Sequence, residues 1–369
     1  MELPNLYVYS TSGFCGKSAI ILGLALKFKE EGYKVGYFKP MGLEMVRGTG
    51  GEKIDQDAKL MERVLNLNLP PDVISPIIFG SSYFEETTKT DSSTFEKKIF
   101  QAYEKASKNM DLMILEGPPS LGMGASLGID TIVLAKKFKS NLLLVALTND
   151  DASIERIIWR KTCTEARDAE FSGVILNSIP KTSMERIKGL AVPILKKNSV
   201  NVFGIIPDNI ELRAPTIREI CERVSCNVLT CEDKLDNLVE DFLVGAMTPE
   251  AALTYFRRSL RKAVITGGDR VDIQLAALQT DTAVLILTGN IYPDIRVLAR
   301  AEELGVPVLL VPVDTYTTIK NITTLIGRIK PNDTKKIELA KKQVEDYVNW
   351  KEILKILHKD DKDDKSEDP

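Results

Sequence analysis

From Leu6 to about Pro207, short apolar runs alternate with stretches of helical period. The runs are Leu6–Tyr9, Val35–Phe38, Leu112–Leu115, Asn141–Leu147, Ser172–Leu176 and Val202–Ile206. Helical stretches lie between them, among them Ile54–Leu65, Thr94–Lys108, Asp130–Phe138 and Ala152–Ala166. The runs are nearly continuous in apolar residues, as parallel strands buried on both faces must be. This alternation predicts an α/β fold with a doubly wound, mostly parallel sheet and ligands at the strand C-termini.

Past Ile217–Val224 the pattern loosens through Asn227–Leu229 and an acidic stretch. A second, smaller α/β series follows: strand Ala263–Ile265, helix Arg270–Gln279, strand Ala283–Leu287, helix Asp294–Leu304 and strand Val308–Val311. The expected boundary lies near Val224–Asp233, giving a first domain over residues 1–224 and a second over 234–330. A charged helix is expected over 334–357 and a disordered charged tail over 358–369, since Lys359–Asp368 contains no apolar residue.

The 369 residues are 44% hydrophobic, enough for two cores, and a net charge of −3 gives no overall attraction to nucleic acid or anionic membrane. No apolar run approaches the about 18 residues of a membrane span, and Met1–Asn5 lacks the regions of a signal peptide, so a cytoplasmic location is expected. The five cysteines form no C-x-x-C pair and argue against a disulfide framework. Cys221, Cys226 and Cys231 recur every five residues, which is not a zinc spacing. His358, the single histidine, leaves no Ser-His-Asp or Cys-His nucleophile unless the tail supplies it.

The segment Ser10-Thr11-Ser12-Gly13-Phe14-Cys15-Gly16-Lys17-Ser18 joins the first strand to the helical pattern Ser18–Lys29. A strand, a glycine-bearing turn ending Gly-Lys-Ser and a helix make a P-loop, although Thr11 stands where the pattern has glycine. Backbone N–H groups of Ser12, Gly13, Phe14, Cys15 and Gly16 would face phosphates at the helix start. Lys17 would neutralise phosphate charge and the Ser18 hydroxyl would bind Mg²⁺.

Three further residues suit such a site. Glu116 closes an apolar strand, where a carboxylate can hold Mg²⁺ or simply cap a turn. Asp57 reads equally as a metal neighbour or a solvated helix face. Lys39 follows the second strand and points either into the same cleft or to solvent.

In order and spacing, Lys17, Ser18, Lys39-Pro40, Asp57-Ala58 and Glu116-Gly117 resemble the dethiobiotin synthetase-like ATPases. That resemblance implies ATP with Mg²⁺: Lys17 on the phosphates, Lys17 and Lys39 acting on a transferring phosphoryl group, and Ser18, Asp57 and Glu116 around the metal. Asn177, after Ser172–Leu176, matches the family's adenine-reading Asn, and the guanine-reading N-K-x-D is absent. Ser10, Ser12 and Gly13 replace the family's first glycine, Asp and second Thr, and Met41-Gly42-Leu43-Glu44 departs from its substrate loop. Nucleotide binding survives those changes more easily than dethiobiotin synthesis.

Gly267-Gly268-Asp269-Arg270, with Gly289-Asn290 and Asp314-Thr315 downstream, resembles the DRTGG domain. Each group follows an expected parallel strand, so all should meet at one sheet edge as a second ligand site. Turn and helix-cap chemistry would select the same residue types. The two domains in this order resemble the N-terminal, regulatory part of long phosphotransacetylases. The chain has no room for the acetyl-transferring domain, so acetyltransferase activity is not expected.

The leading expectation is therefore a Mg-ATP-binding regulatory or sensory protein, homo-oligomeric, with an effector at the DRTGG-like domain or a phosphotransacetylase-like partner chain. The alternative is an ATP-dependent ligase that activates a carboxylate or carbamate by phosphoryl transfer, as dethiobiotin synthetases and cobyrinic acid amide synthases do.

Overall fold

In a computed structural model, the described residues are 3–42, 45–47, 53–79, 92–148, 150–323, 325 and 327–358. Of the expected disordered tail 358–369, His358 is described and ends the last helix, while residues 359–369, like Leu43-Glu44, lie outside the described residues. The chain forms two compact units, one of residues 1–208 with 329–369 and one of residues 209–328.

Unit 1 holds a six-stranded parallel sheet: β1 (Asn5–Ser10), β2 (Val35–Phe38), β3 (Leu112–Glu116), β4 (Asn141–Leu147), β5 (Phe171–Ile179) and β6 (Val202–Pro207). Their order across the sheet is β6-β5-β4-β1-β3-β2. Every residue of β1, β2 and β3 is buried, which is why these strands read as unbroken apolar runs. The chain leaves β1 toward β2 and β3 on one side and β4 on the other. The loop after β1 therefore opens at the switch point where such sheets bind ligands.

Helix α1 (Lys17–Glu30) follows that loop, α2 (Gln56–Leu65) begins at an Asp55 cap, and α3 (Ser92–Ala106), α4 (Thr131–Lys137) and α5 (Asp151–Glu165) precede β3, β4 and β5.

In unit 2, β7 (Asn227–Thr230), β8 (Asp241–Val244), β9 (Lys262–Gly267), β10 (Thr282–Thr288) and β11 (Val308–Leu310) lie in the order β7-β11-β10-β9-β8, with only β7 antiparallel. The expected boundary near Val224–Asp233 moves to Asp208. Helix α6 (Ile217–Val224) buries Ile217, Ile220 and Val224 against Leu235, Val239 and the sheet of unit 2. The loosened stretch contains β7 and β8, which are too short and too exposed to show an apolar run. A Cys221–Cys226 disulfide ties the end of α6 to the start of β7, a single bridge where no disulfide framework was expected, while Cys15, Cys163 and Cys231 are free. Further helices of this unit include α7 (Pro249–Phe256), α8 (Val271–Ala277), α9 (Ile295–Leu304) and α10 (Thr315–Thr323).

The single expected C-terminal helix is two, α11 (Thr334–Tyr347) and α12 (Trp350–Leu357), and both belong to unit 1. Between them Val348 bridges Gly204, and the Asn349 N–H donates to Phe203 O at 2.6 Å, so the break serves the edge of β6. Helix α11 lies on α1 where Gly23 has no side chain: a Cβ there would sit 2.5 Å from Val344 Cγ2. Lys27 of α1 pairs with Glu345 at 3.1 Å and lies 5.2 Å from the centre of the Trp350 ring. His358 stacks on Tyr33, 5.3 Å between centroids.

Candidate functional site

The loop after β1 turns on two left-handed residues, Phe14 (φ 56°) and Gly16 (φ 79°). Gly16 is the N-cap of α1, and a Cβ on it would fall 2.3 Å from Asn177 Nδ2, so both backbone angle and space demand glycine. Asn177 lies at the end of β5 with its amide donating to Cys15 O at 2.8 Å, holding the loop against the sheet. Thr11, in the place of the missing glycine, donates its N–H to Val145 O at 3.2 Å. Cys15 is buried, which pushes its thiol up from the usual range.

A chain of charges runs out from this loop. Lys17 Nζ is ion-paired with Glu116 Oε1, and Ser18 Oγ donates to the same oxygen at 3.0 Å. The buried Tyr37 donates its hydroxyl to Glu116 Oε2 at 2.7 Å. Lys39 Nζ donates to Asp55 Oδ1 at 2.9 Å and Asp57 Oδ2 at 2.6 Å, and lies 3.8 Å from Glu116 Oε1. Asp55 caps α2, accepting from the N–H groups of Asp57 and Ala58, while its buried Oδ2 has no hydrogen-bond partner among the described residues.

The structure thus brings Lys17, Ser18, Lys39, Asp57 and Glu116 together. It adds two residues that sequence reasoning missed, Asp55 and Tyr37. Asp55 was visible as an Asx residue at a helix start, but Tyr37 reads as one more apolar strand position.

Burial alone would discharge Lys39. Asp57, Asp55 and Glu116 outweigh it and raise the ammonium well above its ordinary value. Burial likewise opposes the charge on Asp57, but Lys39 and Lys17 win and hold its carboxyl at about 2. In Asp55 burial wins, and its carboxyl is raised.

Two ammonium groups face three carboxylates, an excess of one negative charge surrounded by oxygen donors. That donor set suits a hard divalent cation such as Mg²⁺ better than a soft one. Among the described residues no three His, Cys, Asp or Glu side chains are gathered as a complete metal cage. Phosphate and water would have to supply the remaining ligands.

At the edge of the second sheet the DRTGG-like residues have internal partners. Gln274 Nε2 donates to Gly267 O and Gly268 O at 2.9 and 3.1 Å, and a Cβ on Gly268 would lie 1.7 Å from Ile291 O. Arg270 pairs with Asp272 at 3.1 Å and donates to Met247 O at 3.0 Å. It stands at the N-cap of α8, which has no side-chain cap, so Asp269 does not cap that helix. Gly289 and Asn290 donate their N–H groups to Val313 O and Val311 O. Asp314 accepts from Thr317 N at 3.0 Å, and the Thr315 and Thr288 hydroxyls lie 2.8 Å apart. Turn, cap and close-packing roles account for these contacts.

Strand order, the loop after β1 and its lysine–carboxylate chain define a P-loop domain of the dethiobiotin synthetase-like class, followed by a second α/β domain. A family model described as an AAA domain matches residues 4–216, more than half of the chain, and the chain belongs to that family. A DRTGG domain model matches residues 219–325. This pair of domains is that of the N-terminal region of long phosphotransacetylases. Phosphate acetyltransferase from Nitratidesulfovibrio vulgaris is 26% identical over 366 residues, covering 95% of this chain and 51% of the relative. That from Synechocystis is 25% identical, covering 96% and 52%. The chain spans about half the length of the curated relatives it matches. Among solved structures, the septum site-determining protein MinD with Mg-ADP from Pyrococcus horikoshii aligns over 59% of this chain and 84% of that one. Its identity is 16% and its TM-score 0.35, a likeness too low to carry weight beside the strand order.

Proposed function

We propose that this chain is a Mg-ATP-binding regulatory or sensory protein, related to the N-terminal part of phosphotransacetylase. The observation that carries the reading is the Lys17–Glu116 ion pair beneath the P-loop, with Ser18 on the same carboxylate oxygen. A triphosphate entering the loop offers Lys17 a new anion. Mg²⁺, held by Ser18, Asp57 and Glu116, would replace the ammonium at the carboxylate and neutralise phosphate charge. The exchange moves one buried contact at the root of α1, and nucleotide state is read there as a shift between two arrangements. Asn177, which steadies Cys15 O, is the residue we assign to the adenine. Ser12 and Gly13 stand where the family has Asp and Thr, so neither that carboxylate nor that threonine hydroxyl would reach the transferring phosphate, which favours binding over chemistry. Titration calorimetry with Mg-ATP tests the reading: wild type binds and Lys17→Ala binds far more weakly. Wild-type protein that takes no nucleotide ends it.

Lys39 favours a second reading, an ATP-dependent ligase. Buried and charged beside Asp57, it stands where a developing negative charge on a transferring phosphoryl group would be stabilised. ADP release that depends on an added small carboxylate or amine would support it.

In either case the DRTGG-like unit is the proposed seat of an effector or partner, such as a phosphotransacetylase-like chain. Among the described residues no helix is long and apolar enough to cross a membrane. We place the protein in the cytoplasm as a homo-oligomer, which sedimentation of the purified chain would check.

A further inference from the structure

A cavity of about 310 Å³ in unit 1 lies where β4 and β5 end, between the start of α5 and the turn that follows β5. One wall is an apolar stripe, Ile187, Leu190, Ala191 and Ile194, spaced by three and four along a π-helical turn (Ile187–Ala191) and the helix Val192–Lys197 that continues it. Such turns are rare and collect at functional sites. Leu190 and Ile194 stay 57% and 46% exposed, an apolar surface that nothing among the described residues covers.

The polar groups are distributed unevenly. Asp151 is held by Arg186 at 2.6 Å, and Asp150 caps α5 through Ser153 and meets Arg156 at 3.2 Å. Glu155 has no ion pair among the described residues and is exposed at the rim. Three lining carboxylates, against Arg186 in the lining and Arg156 on Asp150, leave an excess of one negative charge at the cavity, which disfavours anions. Thr148, also a lining residue, is 2% exposed, and its hydroxyl has no hydrogen-bond partner among the described residues. A buried hydroxyl left unpaired costs about 1–3 kcal/mol, so a ligand atom that satisfies it is favoured.

We propose that this cavity binds a small aliphatic amine, its ammonium against Glu155, its alkyl chain along the Ile187–Ile194 stripe, and a second polar group on Thr148. The inference is independent of the nucleotide reading, and its test uses the full chain without ATP. The probes are 6-amino-1-hexanol, 1-hexanol and hexanoate, titrated by NMR. The amino alcohol binds tightest, hexanol about two- to fivefold more weakly, as one partly exposed ion pair contributes, and hexanoate not measurably. Glu155→Gln, a change of an exposed side chain, brings the amino alcohol to the level of hexanol. Ala191→Trp, which fills the cavity, removes both. Hexanoate binding as well as the amine, an amine affinity unchanged in Glu155→Gln or kept in Ala191→Trp, or no amine binding by wild type would overturn the proposal.

Discussion

Replacing Lys39 by Met keeps the volume of the side chain and removes the one ammonium that holds both Asp55 and Asp57. Lys39 is nearly buried and Asp55 fully so, and the two contacts are 2.9 and 2.6 Å. Breaking a buried pair by removing one partner costs roughly 3–5 kcal/mol, because the charge left behind has lost its compensation. With a urea slope of about 3 kcal/mol per M, the unfolding midpoint falls by roughly 1 to 1.7 M. The loss depends on pH, and its sign can be worked out. The Asp55 carboxyl is already raised in the folded chain, by burial, and without Lys39 it rises further. An acid whose folded value lies above its unfolded one favours folding when protonated, so the variant regains stability as pH falls toward that value. Both tryptophans, Trp159 and Trp350, belong to unit 1, so intrinsic fluorescence follows this unit alone. A fall of less than about 1 kcal/mol, the worth of an exposed pair, or a loss that is the same at pH 5 and pH 8, would refute the reasoning.

Other substitutions probe other parts of the account. Gly16→Ala forces a Cβ onto Asn177 Nδ2 in a left-handed backbone, so Mg-ATP affinity falls at least tenfold in a filter-binding assay while the fold survives. Gly23→Leu drives α11 off α1 and costs roughly 1–3 kcal/mol, seen as a red shift of the Trp350 emission. Reduction of Cys221–Cys226, which closes a short loop, lowers the stability of unit 2 by about 2 kcal/mol; alkylation with mass spectrometry shows two fewer free thiols before reduction than after.

The sequence carried the parallel sheet well, because strands covered on both faces have to be apolar at every position. The P-loop was legible for a similar reason, since its backbone path leaves few residue choices. What escaped reading depends on partners distant along the chain. Tyr37 looks like core until Glu116, seventy-nine positions later, receives its hydroxyl. Asp55 and Asp57 cannot be ranked by sequence, because what separates them is burial at the Lys39 ammonium. Helix α6 adjoins the first domain in sequence, but its apolar face fits the second sheet. The return of α11 and α12 to unit 1 is marked only by Gly23, which reads as a weak point in a helix until Val344 is placed against it.

The most direct measurement is a crystal structure with Mg²⁺ and a non-hydrolysable ATP analogue. The account predicts phosphates in the loop from Ser12 to Gly16, Lys17 released from Glu116 onto them, and the metal at Ser18 beside Asp57 and Glu116. A structure grown at saturating nucleotide with Lys17 still on Glu116 and the loop without ligand would contradict it.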